Sequence, residues 1–181
     1  MGDFASSCTD WVMSVFEAQV GAAQAVTGEA YALACEQHVG LDGVDREVLT
    51  DTLVGASLHL SSLIKAMLPE GADGPDAVAA VVARHRPRVE WRASDTRRYM
   101  ASLLRVGVRH SAKARRLLER FTPAQESRVL KSISFVHSNL RIAHYLVDAR
   151  CRPSETLEAA LRECRNVVRL RHGGGDEVAA S

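Results

Sequence analysis

The stretch DTRRYMASLLRVGVRHSAKARRLLERF, residues 95–121, carries the pattern that decides the fold. Its apolar side chains recur every three or four residues, which is the period of an α-helix with one buried face. Gly107 and Ser111 leave a break near the middle of that helix open as an alternative, because glycine is a poor helix former. The apolar positions are Tyr99, Leu103, Val106, Ala114, Leu117 and Phe121.

Comparable helical patterns, separated by capping residues, extend over most of the chain, and no segment reads as a good strand. The first of them has a wide apolar face that includes Trp11 and Val15. The predicted helix starts are Thr9, Asp42 or Asp45, Asp73 with Pro75, Ser94, Thr122 with Pro123, and Pro153 with Ser154, and the predicted ends include Gly28 and Gly40. The sequence therefore predicts an all-α fold, a compact globular bundle of about seven helices.

Length and composition favour one domain. The chain has 181 residues, of which 46% are hydrophobic and 25% are charged, so it can bury a sizeable core. We expect a flexible N-terminus over residues 1–8, a single helical domain over 9–171 and a disordered tail over 172–181. The longest apolar run, residues 77–83, is far shorter than the roughly 20 residues of a membrane-spanning helix.

The cysteines favour a reducing compartment. Cys8, Cys35, Cys151 and Cys164 are scattered, with no CxxC pair and no dense framework of the kind that staples small secreted domains. The N-terminus also lacks the apolar core of a secretory signal. A cytoplasmic protein with reduced thiols is the expectation.

The first eight residues, MGDFASSC, match a loose acylation pattern. Gly2 followed by Ser6 is the spacing for N-myristoylation, and Cys8 could carry a second acyl chain. Asp3 places a negative charge beside the glycine that would be acylated, which argues against modification. We therefore expect an unmodified N-terminus and keep lipidation at Gly2 and Cys8 as the alternative.

The segment HSNLRIAH, residues 137–144, places two histidines on one apolar helical stripe. Seven residues separate His137 from His144, which is roughly 10 Å along a helix and too far for one shared metal ion. Buried, hydrogen-bonded histidines are the commoner outcome. We expect no metal or other cofactor, and since no catalytic motif is present we expect no enzyme.

Acidic and basic residues are strongly separated along the chain. Residues 1–83 contain 12 acidic and 2 basic side chains, whereas residues 84–120 contain 3 acidic and 12 basic ones. A basic segment of this kind is typical of a surface that binds a polyanion. An acidic first half could also neutralise it, either within the fold or across a dimer interface.

On a helix over residues 95–121, six basic side chains fall on one side, opposite the apolar face. We call them the basic stripe: Arg98, Arg105, Arg109, Lys113, Arg116 and Arg120. The stripe is the candidate binding face of a non-enzymatic interaction, adaptor or regulatory protein with an acidic protein partner, or of a self-associating chain. Two alternatives remain open: a regulator that binds nucleic acid, and a small-ligand sensor or enzyme with an interior histidine pocket. A merely solvated stripe is also compatible with the pattern.

Overall fold

A computed structural model describes residues 2–37, 39–72, 74–90, 95–121, 127–148 and 150–173. These residues contain six helices and no strand, which confirms the predicted all-α fold. The helices are α1 (Gly2–Glu36), α2 (Gly43–Met67), α3 (Pro75–His85), α4 (Thr96–Phe121), α5 (Ser127–Val147) and α6 (Glu155–Gly173).

Four long helices form a closed ring in the order α1, α2, α5, α4, each packed on the next. The two shorter helices lie outside the ring. α3 packs on α1 and α2, and α6 packs on α2 and α5. The molecule is therefore a four-helix bundle with two flanking helices.

Hydrogen bonds between α1 and α4 show that these helices run antiparallel. Nδ1 of His110 donates to Oε1 of Gln19 over 2.8 Å, and Oγ1 of Thr96 donates to Oε1 of Gln37 over 2.7 Å. The beginning of α1 therefore faces the end of α4. This juxtaposition places the beginning of α1 beside the C-terminal part of α4.

The pairs α4–α5 and α2–α5 are antiparallel as well. Ser111 lies 3.0 Å from His137, and Arg105 lies 3.2 Å from Asp148. Residue numbers therefore rise along α5 where they fall along α4. As a result α2 and α4 point the same way on opposite corners of the ring. The segment that joins them, which includes α3, crosses from one corner to the other.

The core fills the space inside the ring. All four long helices contribute fully buried side chains to one continuous cluster, which α6 extends on the outside with Leu157, Leu161 and Val168. The largest of these side chains are Phe16, Leu49, Leu53, Leu60, Ile64, Met100, Leu103, Leu104, Ile133 and Leu140. Burial of such aliphatic and aromatic surface is the main term that stabilises a bundle of this kind.

The described residues contain six helices rather than about seven because the end or kink expected at Gly28 does not divide α1. α1 continues through Gly28, whose neighbours Val26 and Ala30 are both buried. The loss of roughly 1 kcal/mol for a glycine inside a helix is smaller than what those contacts contribute. α4 is likewise continuous through Gly107, so the alternative of a break at this residue is wrong.

Several predicted caps match the observed helix ends, but the start expected at Thr9 is wrong, because α1 begins at Gly2. Oδ1 of Asp42 accepts the backbone N–H of Asp45 over 2.7 Å and so caps α2. Oγ of Ser154 accepts the N–H of Leu157 at the start of α6, and Gly40 adopts a φ of 72° in the connection after α1. The proposed start signals Asp73, Ser94, Thr122 and Pro123 lie outside the described residues.

The ends of the domain differ in detail from the sequence-based expectation. α1 begins at Gly2 and so includes residues 2–8, which the sequence predicts to be a flexible N-terminus. α6 reaches Gly173, and residues 174–181 of the predicted tail lie outside the described part. The side chain of Cys8, and with it the acylation alternative, is not among those described.

In the described part of the chain, no helix combines the length and the apolar character that crossing a bilayer requires.

Gly107 and Gly28 provide a matched test of this packing. A Cβ at residue 107 would lie 3.2 Å from Cγ2 of Val26 and 3.3 Å from Cδ1 of Leu140, whereas one at residue 28 would meet nothing within 4 Å. We expect Gly107→Val to lower the free energy of unfolding by about 1–3 kcal/mol through overpacking. Gly28→Val should change it by less than about 0.5 kcal/mol, because valine is no worse than glycine in a helix. Urea unfolding of both variants measures the difference, and equal effects would contradict the close approach of α1, α4 and α5.

Candidate functional site

All six side chains of the basic stripe are exposed on the outer side of α4. The opposite side of the helix packs into the bundle, where Leu103 and Ala114 are buried and Tyr99, Val106 and Leu117 are half-buried. The predicted amphipathic helix thus places its polar side in solvent. Whether each basic side chain is available depends on its ion-pair partners.

The two N-terminal members of the stripe are engaged in ion pairs. Nε of Arg98 lies 3.0 Å from Oδ2 of Asp95, one turn earlier in the chain. An NH2 nitrogen of Arg105 lies 3.2 Å from Oδ2 of Asp148, just after α5. Asp148 is 9% exposed, so this contact joins α4 to the end of α5.

A neighbouring arginine outside the stripe strengthens the same junction. Nε of Arg97 donates to the carbonyl oxygen of Val147 over 2.9 Å, and the side chain also reaches the carbonyl of Leu146. Terminal carbonyls of a helix have no partner within the helix, and a cationic side chain satisfies them well. α5 ends at Val147, rather than near Arg150 as the sequence predicted, and Arg97 provides a partner for two of its last carbonyls.

The central members of the stripe differ from the N-terminal ones. Among the described residues, no carboxylate lies within ion-pair distance of Arg109, Lys113 or Arg116. Positions 109, 113 and 116 follow the i, i+4, i+7 spacing, so these cations lie on one side of α4. The result is a cluster of positive charge that the described carboxylates do not neutralise.

Acidic residues of α1 receive their ion pairs from the end of α3. Oε1 of Glu17 lies 3.1 Å from Nε2 of His85 and 3.5 Å from Arg84. Oε2 of Glu29 lies 2.7 Å from Arg86. Basic residues at the end of α3, and not the stripe, therefore pair with these two acidic side chains.

Acidic residues of α2 pair with α6. Nε and NH2 of Arg165 donate to the two carboxylate oxygens of Asp45 over 2.6 and 2.7 Å, in a bidentate pair. Arg171 lies 2.5 Å from Asp51, and His172 lies 2.5 Å from Glu47. The pKa of Glu47 is lowered, mainly by the hydrogen bond to His172 and further by the nearby Arg171.

The stripe also affects a histidine at the α1–α4 contact. The pKa of His110 is lowered by burial first, and then by the nearby positive charges of Lys113 and Arg109. Opposite or like charges close to a titratable group shift its pKa in this way. Burial is thus the main cause of the lowered pKa, and the two nearby cations of α4 add to it.

An open groove runs between the beginning of α1 and the end of α4, with a volume of about 830 Å³. We call it the α1–α4 groove. Trp11 is 58% exposed in it, beside the half-buried Val15 and Leu117. Its lining residues are Trp11, Val15, Gln19, Lys113, Arg116, Leu117 and Arg120.

The sequence predicted the basic wall of the α1–α4 groove but not its apolar floor. In the sequence, the width of the apolar face of α1 indicated this floor, because the face is wider than packing against the core requires. Val12 and Phe16 are buried, whereas Trp11 and Val15 lie toward the outside. Which residues of a wide face remain exposed depends on where the neighbouring helices pass.

The histidine pair has structural partners. Nδ1 of His137 lies 3.0 Å from Oγ of Ser111, whose hydroxyl also lies within hydrogen-bond distance of the carbonyl of Val108. Burial, followed by the charges of Arg115 and other arginines, lowers the pKa of His137 to about 4. The imidazole is therefore neutral at pH 7.

His144 belongs to the junction between α4 and α5. Its Nε2 lies 3.4 Å from Oδ2 of Asp148, the carboxylate that Arg105 contacts. Burial lowers the pKa of His144, and Asp148 partly opposes that effect. The described part of the chain contains no group of three or more His, Cys, Asp or Glu side chains placed to hold a metal ion, and His38 lies outside it.

No protein-family model, curated protein or solved structure matches this chain. The fold defines the protein as an all-α bundle, an architecture that many unrelated functions share. A functional assignment therefore depends on the chemistry of the surface of α4.

Arg105 and Arg109 differ in their contacts although they lie one turn apart. We expect Arg105→Gln to lower the free energy of unfolding by about 1–2 kcal/mol, because the largely buried Asp148 loses a charged partner. Arg109→Gln should change it by less than about 0.5 kcal/mol, as is usual for an exposed side chain without partners. Denaturant unfolding at pH 7 tests both. The pKa of Asp148 is lowered in the fold, since the N–H of Arg150 and the side chain of Arg105 outweigh burial, so the Arg105 effect should shrink as acid protonates that carboxylate.

His137 should make the fold sensitive to acid. Its pKa of about 4 in the folded chain lies below the ordinary 6.5, so between these values the unfolded chain binds the proton more readily. Stability is thus lost as the pH falls from about 6.5 to about 4. We expect His137→Leu to lose less stability over this range than the wild type, while costing about 1 kcal/mol at pH 7.5 through the lost hydrogen bond.

Ser111→Ala is the matched control for His137. It removes the same hydrogen bond but keeps the buried imidazole, so the acid sensitivity should remain. Thermal melts of the three proteins from pH 7.5 to 4 provide the comparison. Parallel pH profiles for wild type and His137→Leu would contradict the assignment.

Proposed function

We propose that the protein is a non-enzymatic interaction protein that binds an acidic segment of a protein partner through the basic stripe of α4. One observation carries the proposal. Arg109, Lys113 and Arg116 are exposed without a carboxylate partner among the described residues, while α3 and α6 provide ion pairs for acidic residues of α1 and α2. Charge that the fold does not neutralise is available to a ligand.

The residue types favour carboxylates. Arg109 and Arg116 each present a planar guanidinium that can form two parallel hydrogen bonds with one carboxylate. From residue 109 to 116 the helix rises roughly 10 Å, which matches acidic side chains spaced along a short peptide. Long-range attraction between such surfaces mainly accelerates association and selects partners.

The proposal assigns no catalytic role to the histidines. His137 is hydrogen-bonded to Ser111, and His144 lies beside Asp148. Both serve the packing of α5 against the rest of the bundle. We therefore place the function on the outer surface and not in an interior pocket.

We also propose a cytoplasmic location. The three cysteines whose side chains are described, Cys35, Cys151 and Cys164, are free thiols. Unpaired cysteines are the usual state in a reducing compartment. The proposal is independent of the identity of the partner.

Nucleic acid is the competing ligand for exposed arginines. Proteins that bind single strands commonly add exposed aromatic side chains on which bases stack. Tyr99, the aromatic residue of α4 nearest to the stripe, is half-buried and its hydroxyl donates to Glu29. Trp11 of α1, in contrast, is 58% exposed beside Lys113 and Arg116, so an aromatic side chain for stacking is present and the oligonucleotide arm of the test below decides between the two ligands.

The test replaces Arg109, Lys113 and Arg116 together by Gln and measures binding of an oligo-glutamate peptide. We expect wild-type binding to weaken as salt rises, because exposed charges are screened. The triple variant should bind at least about tenfold more weakly, a loss of about 1.4 kcal/mol. Its melting temperature should remain close to that of the wild type, because these side chains make no ion pair among the described residues.

The matched control replaces Lys131, Arg152 and Arg162, which are exposed on other parts of the molecule, by Gln. The change in net charge is the same, so equal weakening by both triples would show an effect of overall charge and contradict a site on α4. A duplex or single-stranded oligonucleotide that binds more tightly than the peptide, and depends on the same three side chains, would favour the nucleic-acid alternative.

A further inference from the structure

The α1–α4 groove lies along the C-terminal part of the basic stripe. Its inner end is at the hydrogen bond between His110 and Gln19, where α1 and α4 meet. From Gln19 back to Trp11 the helix spans roughly 12 Å. The groove can thus accommodate two to three turns of a helix.

The floor of the groove is an apolar surface that the core does not use. Phe16 and Val20 of α1 are buried inside the bundle, whereas Trp11 is 58% exposed on the neighbouring side of the same helix. Val15 and Leu117 are only half-buried and lie on the two sides of the groove. An exposed tryptophan between smaller apolar side chains is the kind of residue that dominates the energy of many interfaces.

One wall of the groove is positively charged. Lys113 and Arg116 lie on the α4 side, and Lys113 also contributes, after burial, to the lowered pKa of His110 at the inner end. The other wall comes from α1 and includes the uncharged Gln19. A ligand that fits must therefore be apolar toward the floor and acidic toward α4.

We propose that the α1–α4 groove binds an amphipathic helix of a partner protein, with the apolar side of that helix on Trp11, Val15 and Leu117 and its acidic flank on Lys113 and Arg116. Helices bind grooves in this way through apolar residues at i, i+3 or i+4 and i+7. Because only one wall of the groove is charged, the acidic flank of the bound helix must face α4. This fixes the orientation of that helix. This inference rests on the proposed function and specifies the form of the acidic segment.

The probe is a pair of synthetic peptides with identical composition. One places leucines at i, i+4 and i+7 with glutamates along one flank, and the other distributes the same residues so that no apolar face forms. Each carries a fluorescent label for anisotropy titration against the full chain. We expect the amphipathic peptide to bind at least about tenfold more tightly than the permuted one.

Trp11 itself provides a second readout. In a Trp91→Phe background it is the single tryptophan of the chain. The amphipathic peptide should shift its emission to shorter wavelength on burial, and the permuted peptide should not. An unchanged spectrum at saturating amphipathic peptide would overturn the proposal.

Two variants separate the groove from the stripe. Trp11→Ala should weaken the amphipathic peptide at least about tenfold and leave the permuted peptide unchanged. Leu170→Ala, at a residue 76% exposed on α6, is the matched control and should change neither. Circular dichroism melts check that both variants remain folded.

The outcomes distinguish the two proposals. If both peptides bind equally, lose binding when Arg109, Lys113 and Arg116 become Gln, and ignore Trp11→Ala, the stripe binds acidic chains and the groove proposal is wrong. If the amphipathic peptide depends on Trp11 but not on those three cations, the groove binds an apolar helix and the acidic-partner function is wrong. If neither peptide binds at low salt, both are wrong.

A second copy of the chain is the competing occupant. Sedimentation velocity of the free protein tests this directly. A wild-type dimer that becomes monomeric in Trp11→Ala would overturn the proposal of a partner helix. A wild-type monomer that binds one amphipathic peptide per chain would support it.

Discussion

The close contact of α4 with α1 and α5 at Gly107 is the constraint on which the arrangement of the bundle depends. A Cβ at this position would lie 3.2 Å from Val26 and 3.3 Å from Leu140, so the missing side chain lets three helices meet at one level. Ser111, one turn further along α4, uses that proximity to reach His137. Packing at one small residue therefore fixes the rotation of α4 about its own axis.

That rotation determines which basic side chains are available. With Leu103 and Ala114 turned inward, Arg109, Lys113 and Arg116 must point away from the bundle. The acidic residues of α1 and α2 do not pair with these three cations, because other cations lie closer to them. The ends of α3 and α6 provide those cations, so the charge separation seen in the sequence is only partly cancelled in the fold.

The sequence predicted those parts of the structure that depend on local pattern. The helix over residues 96–121, the cap at Asp42 and the inward position of His137 all follow from spacing and from short-range hydrogen bonding. It did not predict the continuity of α1 through Gly28, because that depends on burial of Val26 and Ala30 by helices distant in sequence. Nor could it predict the α1–α4 groove or the pairing of Arg105 with Asp148, since both arise where separate helices meet.

The segment through α3, which joins α2 to α4 on the opposite corner of the ring, has a consequence for the order of folding. α1 with α2, and α4 with α5, are neighbours in sequence and in space, so each pair can form as a helical hairpin with short loop closure. The contact between α1 and α4 joins residues as far apart as 19 and 110, and it can form only when the two hairpins dock. We expect docking to limit the folding rate. Substitutions confined to one hairpin would then have high φ-values, while those at the α1–α4 contact would mainly accelerate unfolding.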